Sequence, residues 1–192
     1  MIKRWFALQV HAGREKWIAS YLEDLGFEHL LLVRREMRRW SDRFKTIEKP
    51  IFTGYVFCRF HFEDRVKLLS GPGVLRIVGY GRTPMPVDDH EMAAVQTLST
   101  TELPLRECPY LNEGDFVRLE GGSLDGLVGR FVEARAGARV VVSVTILQRS
   151  VAVEIDRSRL TAIQSVANPS ISRKHAMAGS DPERFLGQRT VA

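Results

Sequence analysis

Residues 34–60, RREMRRWSDRFKTIEK running directly into PIFTGYVFCRF, decide how this chain is read. The first part sets Arg34, Arg35, Arg38, Arg39, Arg43, Lys45 and Lys49 against Glu36, Asp42 and Glu48, a net charge of +4. Residues 1–100 as a whole also sum to +4, so the rest of that region is neutral and the charge is a local device. The second part is an apolar strand carrying Phe52, Tyr55 and Phe57 within seven residues, more aromatic surface than one strand face needs for an interior. One half suits phosphates, and the other suits a protein groove.

Working outward, Arg38–Trp40 and Phe44–Ile47 flank the turn-prone pair Ser41-Asp42 and read as a hairpin. Tyr55–Phe60 reads as a central strand, with Tyr55 and Phe57 on one face and Val56 on the other. Upstream, Lys3–Val10 alternates like a strand. Arg14–Leu25 follows as an amphipathic helix closed by Gly26, and Phe27–Val33 as a second apolar strand. Downstream come a short helix over Glu63–Leu69, a strand over Val74–Val78, and a helix over Asp88–Leu98. Asp88 is the N-cap of that last helix and Glu91 lies three residues on, the spacing of a capping box. Strands interleaved with helices predict an α+β domain over residues 1–100, a sheet with helices on it.

Residues 101–112 hold Pro104 and Pro109 without a sustained period and read as a linker. Residues 113–163 are strand and turn, punctuated by Gly121-Gly122, Asp125-Gly126 and Gly137, which predicts a small barrel of about five strands. Residues 164–192 are polar, rich in Ser, Arg and small residues, and read as a disordered tail.

Composition closes off several classes. The chain has 192 residues, 44% hydrophobic and 27% charged, enough for one ordinary core or a domain plus a smaller one. It has no run of 18 apolar residues and no secretory pattern at its start, so a cytoplasmic protein without a membrane span is expected. Cys58 and Cys108 have no metal-site spacing, and Cys58 in an apolar strand reads as a core residue. The sequence Asp88-Asp89-His90-Glu91 is better explained by helix capping than by metal binding. With no GxSxG, Walker loop or HExxH, no enzyme activity, cofactor or metal is expected.

Four motifs in order, KRWFALQVHAGRE (3–15), PIFTGYVF (50–57), GVLRIVGYGRTPMPVDDHE (73–91) and GDFVRLEGGSLDGLVGRFVE (114–133), make the chain resemble the NusG family of transcription elongation factors from about Lys3 to Ile163. The WSDRFK hairpin resembles specialised paralogues of the RfaH, LoaP and UpxY kind, antiterminators of particular long operons. The resemblance implies an N-terminal NGN-type domain that binds the clamp helices of the largest RNA polymerase subunit, and a C-terminal KOW barrel that recruits other factors. It carries the polymerase-binding role onto Ile51, Phe52, Tyr55 and Phe57, with Phe6 on the first strand. It also implies that His11, Arg14 and Lys16, together with Arg38, Arg39, Trp40, Arg43 and Lys45, form a positive surface toward the non-template DNA strand. Trp40 among arginines suits base stacking, or else folds back under a cation from Arg38 or Arg43.

Residues 101–164 have a net charge of −1, which points the barrel to protein partners. The family's contact loop, Ile-Phe-Gly-Arg, matches Ile146, Leu147, Gln148 and Arg149. Leu for Phe removes an aromatic anchor and Gln for Gly restricts the turn, which puts recruitment of Rho in doubt and leaves contact with a small-subunit ribosomal protein open. The expected protein is a monomeric transcription elongation and antitermination factor. The alternative is a ribosome-associated, RNA-binding KOW protein acting in translation, which would not need the Phe52, Tyr55, Phe57 surface.

Overall fold

A computed structural model describes residues 2–40, 43–111, 114–134 and 137–163. The turn at Ser41-Asp42 and the tail at 164–192 lie outside them. The chain is mixed helix and antiparallel sheet, the α+β class expected.

The first sheet has the order β2-β5-β1-β6. Its centre is β1 (Arg4–Val10) against β5 (Tyr55–Phe60), antiparallel, with Ala7 opposite Phe57 and Leu8 opposite Val56. Because side chains alternate, these two strands bury apolar groups on both faces. Phe6, Leu8, Val10, Val56, Cys58 and Phe60 face one way and form a core with Ile18 and Leu22 of α1 (Glu15–Asp24) and Leu68 of α2 (Arg65–Leu69). Trp5, Ala7 and Phe57 face the other way, with Met92, Val95 and Leu98 of α3 (Asp89–Ser99).

The outer strands are β2 (Glu28–Leu30) and β6 (Val74–Ile77). The second apolar strand is thus shorter than expected. Leu32 leaves the ladder, is buried, and accepts the Ile51 N–H at 2.8 Å. α1 ends as its Gly26 predicts: at φ 74° that residue turns the chain, its N–H meets Glu23 O at 2.8 Å, and Phe27 N–H meets Leu22 O at 2.9 Å, a Schellman closure.

Between β2 and β5 the hairpin of β3 (Val33–Trp40) and β4 (Arg43–Pro50) forms its own two-stranded sheet. It is longer than its turn signals indicate, because pairing runs back to Val33 opposite Pro50. A smaller ribbon, β7 (Gly79–Tyr80) with β8 (Thr83–Pro84), precedes α3.

Part of the segment read as linker is a strand. β9 (Leu105–Pro109) pairs with β13 (Arg149–Ile155) from Leu105 opposite Val153 to Pro109 opposite Arg149. Pro109 ends that ladder, where its missing N–H costs least. With β10 (Phe116–Leu119), β11 (Val128–Ala134), β12 (Gly137–Val144) and β14 (Leu160–Ala162), the C-terminal sheet has six strands in the order β14-β10-β11-β12-β13-β9. Val117, Leu119, Val140, Val142, Val151 and Val153 bury its inner face. Those side chains belong to one apolar cluster with Phe52, Phe57 and the buried face of α3.

Candidate docking faces and nucleic-acid interface

The PIFTG turn is fixed from three sides. Gly54, at φ 82°, donates its N–H to Glu15 Oε1 at 2.7 Å and accepts from Val10 N–H at 2.9 Å, while Tyr55 N–H reaches Phe52 O at 3.1 Å. This geometry turns Ile51 and Phe52 inward. Phe52 meets Phe57 edge to face, centroids 5.9 Å apart, and Ile51, Phe52 and Phe57 are all buried. Tyr55 is half-buried, with the Arg149 guanidinium 5.6 Å from its ring centroid. Phe6 does not join this face. It pairs with Cys58 in the ladder, points to the α1 side, and packs on Phe60 at 4.6 Å. Trp5, opposite Arg59, holds the position on β1 that faces the Phe57 side.

On the hairpin, Arg38 lies opposite Lys45 in the ladder, and cross-strand register sorts the tip onto two faces. Trp40 with Arg43 occupies the face of Lys45, and Met37 with Thr46 and Arg39 with Phe44 occupy the other. Charges near the base are paired. Glu48 takes Lys16 at 3.1 Å and Arg35 at 3.7 Å, and Glu36 takes Arg34 at 2.8 Å and Lys49 at 2.7 Å. The Lys16 hydrogen bond and charge lead in holding the Glu48 carboxyl below its ordinary value. The tip differs: among the described residues Arg39, Arg43 and Lys45 make no ion pair and no cation covers the Trp40 ring. Trp40 is 55% exposed, Phe44 69% and Met37 77%. His11 and Arg14 are exposed just before α1, and Lys16 ties that helix start to the hairpin base.

The Ile146–Arg149 turn is built on a 3-10 helix, Thr145–Leu147, closed by Gln148 at φ 51° and ψ 43°. Gln148 is the one non-glycine residue with positive φ among the described residues, in a region that costs an L-residue about 1–2 kcal/mol. Its Nε2 offsets part of that by donating to Thr145 O at 2.8 Å. Leu147 is buried and Ile146 half-buried against the shared cluster. Arg149 hydrogen-bonds Glu107 of β9.

The expected capping box is half present. Asp88 accepts His90 N–H at 2.9 Å and Glu91 N–H at 3.3 Å, but the Glu91 carboxylate turns away from the cap. It accepts Thr145 N–H at 3.1 and 3.2 Å on its two oxygens, and the Thr145 hydroxyl as well. Burial pushes the Glu91 carboxyl above its ordinary value, against the pull of those hydrogen bonds. Sequence reasoning missed this contact, since nothing in the local pattern of either residue names a partner 54 positions away. Among the described residues no three His, Cys, Asp or Glu side chains are grouped to hold a metal, and no helix is long and apolar enough to cross a membrane.

The architecture is an α+β arrangement in which a basic hairpin lies between β2 and β5, followed by a six-stranded antiparallel sheet. Residues 3–96 match the family model described as NusG, transcription termination factor nusG. Residues 3–96 thus carry a domain of the NusG family, and relatives of that family match most of the chain's length. It is 26% identical over 179 residues to the transcription termination/antitermination protein NusG of Thermus thermophilus, covering 81% of this chain and 96% of that protein. The protein of the same name from Escherichia coli strain K12 is 27% identical over 172 residues, covering 82% and 95%. A solved structure described as "Domain interaction in Thermotoga maritima NusG" is similar at a TM-score of 0.46 and 23% identity, covering 84% of this chain and 98% of that one.

Proposed function

We propose that this chain is a transcription elongation and antitermination factor of the specialised kind. It holds RNA polymerase through the PIFTGYVF face, contacts the non-template DNA strand with its hairpin, and offers the Ile146–Arg149 turn to a protein partner. One observation carries the DNA part. At the hairpin base each carboxylate is matched to two cations, whereas Arg39, Arg43, Lys45 and Trp40 at the tip stand exposed without such partners among the described residues. Cations free of internal pairing are available to phosphates, and an exposed indole beside them is available to a base.

The antitermination reading rests on Leu147. It is smaller than the aromatic that the resemblance expects there, and it is buried. A factor that occupies the polymerase while recruiting Rho poorly competes with the housekeeping protein. The test is in vitro transcription with Rho and housekeeping NusG, adding this chain in excess. Increased read-through is the expected result, and unchanged or stronger termination refutes the proposal. Retention of core RNA polymerase on the immobilised chain separates this reading from a ribosomal one, which predicts ribosome binding without polymerase.

A further inference from the structure

Two consecutive residues at the start of α1 hold different parts of the segment between β2 and β5. Glu15, buried, accepts the Gly54 N–H at 2.7 Å, at the turn before the aromatic strand. Lys16, exposed, donates from Nζ to Glu48 Oε2 of the hairpin at 3.1 Å, across 32 positions of sequence. Glu48 lies directly opposite Arg35 in the hairpin ladder and takes that guanidinium as well, at 3.7 Å. One carboxylate thus joins both hairpin strands to the first turn of the helix.

The hairpin has use for such a link. Its ladder ends at Val33 opposite Pro50, and among the described residues no strand of the first sheet pairs with β3 or β4. At the root the Ile51 N–H to Leu32 O bond closes the two chains on each other, which leaves the angle of the hairpin to the sheet open. Arg43 lies five residues from Glu48 along β4, about 17 Å at roughly 3.4 Å per residue. On that lever a swing of about 20° carries the tip about 6 Å, farther than a hydrogen bond stretches. An exposed ion pair adds little to stability, so its effect is to be read in orientation and not in unfolding.

We infer that Lys16 and Glu48 are positioning residues, a strut that sets the angle of the hairpin to the docking strand and so aims Arg39, Trp40, Arg43 and Lys45 at the nucleic acid. This rests on the proposed DNA reading. It also reassigns Lys16, whose charge is committed to Glu48 instead of to a phosphate. The sign of one substitution separates the strut from plain electrostatics. Removing a carboxylate beside a basic surface strengthens attraction to a polyanion if charge alone matters. If Glu48 aims the tip, removing it weakens binding.

The experiment uses the full chain with Lys16→Met, which keeps side-chain length, Glu48→Thr, which suits an exposed strand, and the two combined. Residual dipolar couplings of the β3 and β4 amides report hairpin orientation without nucleic acid. Fluorescence titration of an elongation complex, core RNA polymerase on a synthetic bubble, reports binding. In the wild type the hairpin amides should fit the alignment of β1 and β5. In each variant their couplings should shrink while those of β1 and β5 are retained. Each single variant should bind about two- to fivefold more weakly, and the double variant no more weakly than either, because both remove one link. Lys16→Arg, which keeps the ion pair, should behave as wild type in both measurements. Hairpin couplings unchanged in both variants overturn the strut, as does Glu48→Thr binding as tightly as wild type or more so. Weaker binding and a shallower salt slope in Lys16→Met alone would make Lys16 a phosphate contact and overturn its reassignment. Loosened hairpins with full affinity in these variants and in Arg39→Ala with Arg43→Ala would support the strut and refute the DNA reading instead.

Discussion

The Glu15 carboxylate, buried at the first turn of α1, accepts the N–H of Gly54 at 2.7 Å, so the helix start fixes the turn that presents the aromatic strand. A carboxylate in that position serves twice. It satisfies a backbone donor inside a tight turn, and it places a negative charge at the helix N-terminus, where the helix dipole favours it. Glu15→Ala leaves the Gly54 N–H unsatisfied and should cost about 1–3 kcal/mol. Glu15→Gln retains an acceptor and should cost less. Chemical denaturation measures both, and equal stability of all three proteins would remove Glu15 from any structural role.

The hairpin tip makes a salt-dependence prediction. Arg39→Ala with Arg43→Ala should lower affinity for an elongation complex and reduce the log–log salt slope by about 1.4, at roughly 0.7 for each single-strand phosphate no longer neutralised. Arg35→Ala, whose side chain already pairs with Glu48, should change the slope little. Trp40→Ala should weaken binding by about 1–3 kcal/mol with the slope unchanged, because stacking releases no counterions. A double mutant with the wild-type slope rules out phosphate contacts by Arg39 and Arg43.

Cys58 should be inert. It is fully buried, and burial first, then the nearby Glu28 charge, pushes its thiol up to about 12. At pH 8 that leaves about one thiolate in ten thousand. Iodoacetamide should leave Cys58 unmodified in the native protein and alkylate it once the chain is unfolded, as read by peptide mass mapping. Rapid native alkylation would contradict the packing of β5.

Much of this architecture is legible in the residues themselves. Periodicity finds β1, α1, β5 and α3 to within a residue or two, and Gly26 and Asp88 mark the helix ends they form. What escapes is set by partners distant in sequence. β9 exists because Leu105 and its neighbours pair with β13, and no local pattern around two prolines announces that. Phe6 and Trp5 are adjacent aromatics, and only the register opposite β5 decides that Trp5 faces the Phe57 side. The aromatic strand is legible as a strand, but its residues do not announce that Phe52 and Phe57 share a cluster with the C-terminal strands, nor that Glu91 finds Thr145, a pairing in which each residue looks locally like a cap or a turn.

That pairing gives the contact between α3 and the Thr145 turn, closed in this structure, a pH dependence whose sign follows from Glu91. In the closed chain burial is the largest influence and raises its carboxyl above the ordinary 4.5, Asp88 adds to the rise, and the two Thr145 hydrogen bonds oppose it. On the facing side the Thr145 hydroxyl also meets the Tyr110 hydroxyl at 3.2 Å. Breaking the contact would return Glu91 to water, so the closed form binds the proton more tightly. Closure is therefore favoured in full below pH 4.5, and the advantage is lost as pH rises through the raised value. Asp88→Asn keeps a helix N-cap while removing the neighbouring charge, and should narrow that window. The measurement is the closed fraction of the full chain from 15N relaxation at stepped pH. Wild type should open progressively with rising pH, and Glu91→Gln should be flat over the same range. A closed fraction that ignores pH in the wild type, or that follows pH equally in Glu91→Gln, would show that another group controls the contact.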